Sequence, residues 1–166
     1  MNFSAISDKT LVGKLLRSPL DLIPRNTVVP ILQGSLKGRK WIVGSSNHGC
    51  WLGSYEYDKR LAFERVVGDG GVVFDIGAHV GFYTLLASVL VGPSGKVIAF
   101  EPVPRNVRYL QAHLRINHVS NVELIEAAVS DRMGVASFDE SPGNSTGHLA
   151  CGGSLRVKTV ALDQLI

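Results

Sequence analysis

Two carboxylates and two glycines stand where they could hold a small molecule. Asp75-Ile76-Gly77-Ala78-His79-Val80-Gly81 begins in the last two residues of a largely apolar run, Val72–Ile76, and precedes a segment of helical periodicity. In open α/β sheets ligands bind beyond the carboxyl ends of the strands, so this loop is where a ligand should sit. Gly77 would let the backbone approach it closely, and Gly81 would let the following helix pack tightly on the strand. Ala78 and His79 complete the ligand-facing loop. Glu101 follows a second apolar run, twenty residues after Gly81, and Pro102 stiffens the turn that presents it. An acidic side chain at that place can accept hydrogen bonds from both hydroxyls of a ribose.

Spacing and charge narrow the ligand. A dinucleotide fingerprint spaces its glycines G-x-G-x-x-G. Here Gly77 and Gly81 are four apart, and the position two before Gly77 is Asp75. A carboxylate there would repel a pyrophosphate but suits a cofactor that carries an ammonium and a sulfonium and no phosphate. S-adenosylmethionine (SAM) is such a molecule. A phosphate-binding G-x-x-x-x-G-K-[ST] run is absent from the sequence. The plainer alternative makes Asp75 a turn residue and Glu101 a solvated charge at a helix entry; the two motifs in the right context weigh against it.

The elements that must position these residues alternate. Val72–Ile76, Val97–Phe100 and Val122–Ile125 read as buried strands. Between them, Phe82, Leu85, Leu86, Val89 and Leu90 share one helical face, and Pro104–Asn117 carries Val107, Leu110 and Leu114 on another. Strand, helix, strand, helix, strand with short links predicts an α/β fold with a parallel sheet and right-handed crossovers. Upstream, a helix is limited to about Lys9–Arg17, and Val28–Gln33 and Arg39–Val43 form a hairpin signal. A helix is expected over Ser54–Val67, with Glu56/Arg60 and Arg60/Glu64 spaced i,i+4. Downstream, Val135–Phe138 and Leu155–Leu162 are strand candidates, Ser141–Gly147 is a polar loop, and Asp163 is placed to cap a helix. Residues 1–67 are thus expected to form a hairpin and helix region, and 68–166 the cofactor-binding domain.

Composition sets outer bounds. The chain has 166 residues, 45% hydrophobic and 19% charged, which suits one domain with a real core. The net charge of +3 is mild and scattered, so neither a nucleic-acid nor a membrane partner is expected. Two cysteines, Cys50 and Cys151, fit a reducing, cytoplasmic setting. Lys9, Lys14 and Arg17 interrupt the start, which lacks a signal-peptide core.

The motif residues carry a resemblance. Val73-Phe74-Asp75-Ile76-Gly77-Ala78-His79-Val80-Gly81-Phe82-Tyr83-Thr84 and Val97-Ile98-Ala99-Phe100-Glu101-Pro102 resemble the FkbM-type methyltransferases. Asn121-Val122-Glu123-Leu124 and Ala127-Ala128-Val129-Ser130-Asp131 continue the likeness, and Trp51-Leu52-Gly53-Ser54-Tyr55-Glu56 is a weaker upstream match. The resemblance implies a Rossmann-like class I methyltransferase fold and methyl transfer from SAM, usually to a hydroxyl of a small molecule or sugar. It also implies that Asp75 and Gly77 lie near the methionine part of SAM and Glu101 at its ribose; for Tyr55 and Glu56 it suggests closure over the cofactor, beside the plainer reading of a capped helix start with a packing aromatic. The family more often has Asn at the position of His79, and it continues to a further strand with an I-K-I-D-x-E-G-like run that this sequence lacks. The domain is therefore expected to be incomplete, with self-association through the unpaired sheet edge.

The remaining candidates are quieter. His79 could serve as a general base, but without an orienting partner it reads as loop lining. His48-x-Cys50 and His148-x-x-Cys151 lack the usual spacing of zinc ligands, and no metal is expected. His113 reads as a helix-face residue and His118 as a loop residue. Arg105, Arg108 and Arg115 read as a solvated helix face. No catalytic residue is assigned. Two rival functions stay open: a nicotinamide-dependent oxidoreductase, which the glycine spacing disfavours, and a non-catalytic SAM-binding fragment.

Overall fold

The computed structural model describes residues 19–140, 147–150 and 152–164. The upstream part contains β1 (Val28–Pro30), β2 (Lys40–Ile42), a 3-10 turn (Val43–Ser45), α1 (Gly49–Leu52) and α2 (Tyr57–Val66). Then β3 (Val72–Ile76), α3 (Phe82–Leu90), β4 (Lys96–Phe100), α4 (Pro104–Ile116) and β5 (Val122–Ile125) alternate. The remainder is β6 (Ala128–Val129), β7 (Gly134–Asp139), β8 (His148–Leu149), β9 (Leu155–Val160) and a second 3-10 turn, Leu162–Gln164.

β3, β4 and β5 form a parallel sheet in that order, with Asp75 opposite Ala99 and Ile98 opposite Glu123. The expected alternation is therefore realised. Because side chains alternate across a strand, Val97 and Ala99 turn to the helices, where they are buried with Ala87 of α3, Val91 just after it and Leu110 of α4. Phe100 turns to the other face and packs on Ala127 and Val160. Pro104 occupies the first turn of α4, where its missing N–H costs nothing.

Several elements differ from the sequence expectation. The chain after β5 does not extend the parallel sheet. It builds a second, mixed sheet of order β6-β9-β7-β8, in which β6 runs parallel to β9 while β7 is antiparallel to both β9 and β8. β6 and β8 span two residues each, too few to show a period. The helix expected from Ser54 starts at Tyr57, because Glu56 takes a left-handed conformation with φ 42°. Upstream of it, α1 is stopped at Gly53, with φ 75°. Of the two expected pairs on α2, Arg60–Glu64 forms, whereas Glu56 pairs with Lys59 at 2.8 Å. Asp163 lies inside a 3-10 turn rather than ahead of a helix. The expected helix at 9–17 and loop residues 141–146 lie outside the described residues.

The hairpin is antiparallel, with Val28 opposite Ile42, and it docks on α4 through polar contacts as well as apolar ones. The Asn117 side chain accepts the Lys40 N–H at 2.7 Å and donates to the Lys40 carbonyl at 2.9 Å. His113 accepts the Ile42 N–H on Nε2 at 3.1 Å and stacks on Trp41, with ring centroids 3.8 Å apart. Two side chains one helical turn apart thus stand in for a neighbouring strand. Trp41 and Ile31 share a core cluster with Val80, Phe82, Leu85 and Leu86, which joins the hairpin to α3. Among the described residues no helix is long and apolar enough to cross a membrane.

Candidate active site

β3 and β4 end side by side, Ile76 opposite Phe100. The N–H groups of Gly77 and Ala78 both donate to the Phe100 carbonyl, at 3.0 and 2.9 Å, so the loop folds over the end of β4. Gly77 has φ 80°, and a Cβ built there would meet no atom within 4 Å: the position faces open space. Gly81 has φ 91°, and a Cβ there would lie 2.9 Å from Leu110 Cγ. Its tight contact is therefore with α4, helix against helix, and not with the strand as the spacing suggests. His79 also takes a left-handed conformation, φ 53°, which is unusual for a residue with a side chain.

Glu101 is buried at the end of β4. Its Oε2 accepts the His79 N–H at 2.7 Å, while Oε1 accepts the Val103 N–H at 2.9 Å and the Asn106 side chain at 3.1 Å. A carboxylate oxygen has two acceptor positions, so Oε1 is filled and Oε2 keeps one. Among the described residues one acceptor position of this carboxylate, on Oε2, stays open. Burial holds the Glu101 carboxyl above its ordinary pKa, opposed by these three N–H donors, and the charge of Asp75 adds to the rise. Asp75 is half-buried at the end of β3 and accepts the Thr84 hydroxyl on Oδ2. Burial raises its pKa as well, and the Thr84 bond opposes the rise.

The loop separates two cavities. One, of about 260 Å³, is lined by Glu101 and Pro102 together with Ile76, Phe100, Arg105 and Phe138. The other, of about 170 Å³, is lined by Asp75 and Ala78 together with Tyr55, Glu56, Phe82 and Tyr83. Gly77 and His79 line both. Each carboxylate thus opens to its own cavity, and the glycine between them has room for a ligand to pass. Among the described residues neither Asp75 nor Glu101 forms an ion pair. Two carboxyl groups whose ionised forms are penalised by burial suit a ligand that brings a cationic group to one and a hydroxyl donor to the other.

Of the sequence candidates, Asp75, Gly77, Ala78, His79, Glu101 and Pro102 come together around the cavities, and Gly81 shapes the helix behind them. Arg105 departs from the solvated-face reading: it lines the larger cavity and its guanidinium stacks over Tyr109 at 5.0 Å. His113 is fully buried, not a simple face residue, and its Nδ1 lies 2.8 Å from the Val80 carbonyl. His48 is engaged by Asp21 at 3.0 Å and by the Trp51 indole at 3.2 Å. The neighbouring Cys50 thiol is pushed up to about 12, chiefly by burial, which disfavours the thiolate a metal would need. Among the described residues no three potential metal ligands cluster. The wall supplied by Phe138, Glu140, His148 and Leu149 comes from the second sheet and carries no motif that sequence could have flagged.

Comparison with known proteins decides the family. The methyltransferase FkbM domain model matches residues 75–166, more than half of the chain. The chain belongs to the FkbM methyltransferase family. The FkbM match begins at Asp75 itself and takes in Glu101. An uncharacterized protein of Methanocaldococcus jannaschii is 36% identical over 71 residues, which are 43% of this chain and 26% of that protein. The match thus spans about a quarter of the relative's length. A SAM dependent methyltransferase from Aquifex aeolicus is 25% identical, with a TM-score of 0.41 over 49% of this chain and 43% of that one. The methyltransferase FkbM from Methylobacillus flagellatus is 19% identical, with a TM-score of 0.38 over 57% of this chain and 22% of its own.

Proposed function

We propose that this chain binds SAM across the Gly77 loop and serves methyl transfer to a hydroxyl of a small molecule or sugar. One observation carries the reading: Asp75 and Glu101 open to two adjoining cavities on either side of a glycine that faces open space. In this reading Asp75 receives the cationic methionine end, and the free acceptor position on Glu101 Oε2 receives one ribose hydroxyl. Pro102 and Phe100 wall the adenosine side, while Ala78 and His79 shape the passage between the two. When bound, SAM supplies an electrophilic methyl group on a neutral thioether leaving group. The protein's part is then alignment, desolvation and, for a hydroxyl acceptor, a base. The acceptor class rests on the resemblance in the motif residues, and a reducing, cytoplasmic setting belongs to the same proposal.

Calorimetry with SAM and its demethylated product, S-adenosylhomocysteine, tests the reading on wild type and Glu101→Ala. Loss of one charge-assisted contact should weaken binding by about 1.5–3 kcal/mol. Equal affinities would remove Glu101 from the site, and saturable NADH binding without SAM binding would sink the assignment. Transfer of labelled methyl to RNA but to no sugar or small hydroxyl compound would correct the acceptor class.

A further inference from the structure

His113 ties three parts of the molecule together at one point. It lies on α4, fully buried, 71 residues from Ile42 and 33 from Val80 in sequence. Its two ring nitrogens have different partners. Nε2 receives the Ile42 N–H, so it must be the unprotonated acceptor; Nδ1 then carries the hydrogen and donates to the Val80 carbonyl. The tautomer is thus fixed by the backbone on both sides. Val80 follows His79, whose N–H is held by Glu101 and whose own conformation is left-handed. A strained residue persists only where its surroundings over-determine it. On one side of His79 the constraint is the Glu101 carboxylate; on the other it is the Val80 carbonyl, fixed by His113.

We infer that His113 is a positioning residue for the cofactor loop, holding His79 and Gly77 in their ligand-ready conformation through the Val80 carbonyl and coupling that loop to the upstream hairpin. The inference rests on the proposed SAM site. Asn117, one turn after His113 at the end of α4, holds the same hairpin at Lys40, and its side-chain bonds run to Lys40 and the His113 carbonyl rather than to the loop, so docking and loop positioning are separable.

Two substitutions divide the roles of the ring. His113→Asn keeps a donor at the place of Nδ1, within reach of Val80, and gives up the acceptor for Ile42. His113→Gln keeps an acceptor at the place of Nε2 and gives up the Val80 bond. Both lose the stacking on Trp41, so both melts should fall together. S-adenosylhomocysteine affinity should stay within about twofold of wild type in His113→Asn and fall about tenfold in His113→Gln, the equivalent of about 1.4 kcal/mol. Equal affinities in two variants of equal melting temperature would overturn the inference and leave the site reading intact. No saturable binding to wild type would overturn both. Should the variants fail to fold, nitrogen NMR of wild type decides: the His113 ring signals should shift when the ligand saturates the protein, and unmoved signals would overturn the inference.

Discussion

Asp75 and Glu101 are both carboxylates held out of water, yet their removal should act oppositely on the ligand-free protein. Asp75 has one protein donor, the Thr84 hydroxyl, against the cost of burial. Asp75→Asn keeps an acceptor for Thr84 and removes the charge, so the ligand-free melt should rise, by about 1 kcal/mol or less, while SAM affinity falls. Glu101→Ala strands three N–H donors and should cost about 2–4 kcal/mol of stability, with loss of binding besides. Differential scanning calorimetry beside binding titrations reads both; a stabilised Glu101→Ala would contradict the hydrogen-bond assignment. His113 adds a pH effect. Burial lowers its pKa from 6.5 to about 4, so the unfolded chain binds the proton more readily than the folded one. Its contribution is fully present above pH 6.5 and is lost as pH falls from there toward 4. The whole effect is on the order of 3 kcal/mol. Its ring faces the Trp41 and Tyr109 rings and backbone groups, so His113→Gln should flatten the stability profile in this window. An unchanged slope of melting temperature against pH would refute the assignment.

At the level of elements, the two motif glycines divide their labour. Gly81→Ala places a methyl 2.9 Å from Leu110 Cγ at φ 91° and should cost about 1–3 kcal/mol of stability. Gly77→Ala meets no atom, so it should disturb the fold less and ligand binding more; urea melts and calorimetry on the pair check the contrast. The parallel sheet and its two crossover helices were legible in the sequence as apolar runs and helical periodicity, and the cofactor loop from the spacing of Asp75, Gly77 and Gly81. Val97 and Ala99 alternate with Ile98 and Phe100, and Leu85, Leu86 and Val89 recur at helical spacing. The second sheet was not legible as such: Ala128–Val129 and His148–Leu149 are strands only because β9 and β7 lie beside them. The roles of His113 and Asn117 were hidden for the same reason. Their hairpin partners are backbone groups 71 and 77 residues upstream, and nothing in the local sequence of α4 records them. Glu56 likewise offers no local sign of its left-handed turn.

For the molecule as a whole, the exposed side of β3 matters most. Val72 and Ile76 are 62% and 54% exposed beside Phe74, on a strand paired along one edge among the described residues. Edges of this kind recruit other strands unless charged or covered. The chain should therefore associate with itself as concentration rises, and Val72→Lys with Ile76→Lys should reduce that. Sedimentation velocity checks it; a concentration-independent monomer in wild type would contradict it. The clamp of Asn117 on Lys40 bears on something else, the order of events during synthesis. The two residues are 77 apart, and a ribosome adds about 5–20 residues per second. The hairpin, with Trp41 at its centre, is thus made about 4–15 s before the helix that receives it. During that interval the Trp41 indole can meet Phe82 of α3 but still lacks the ring it stacks on, which makes the hairpin the stretch where a nascent-chain chaperone would find its purchase.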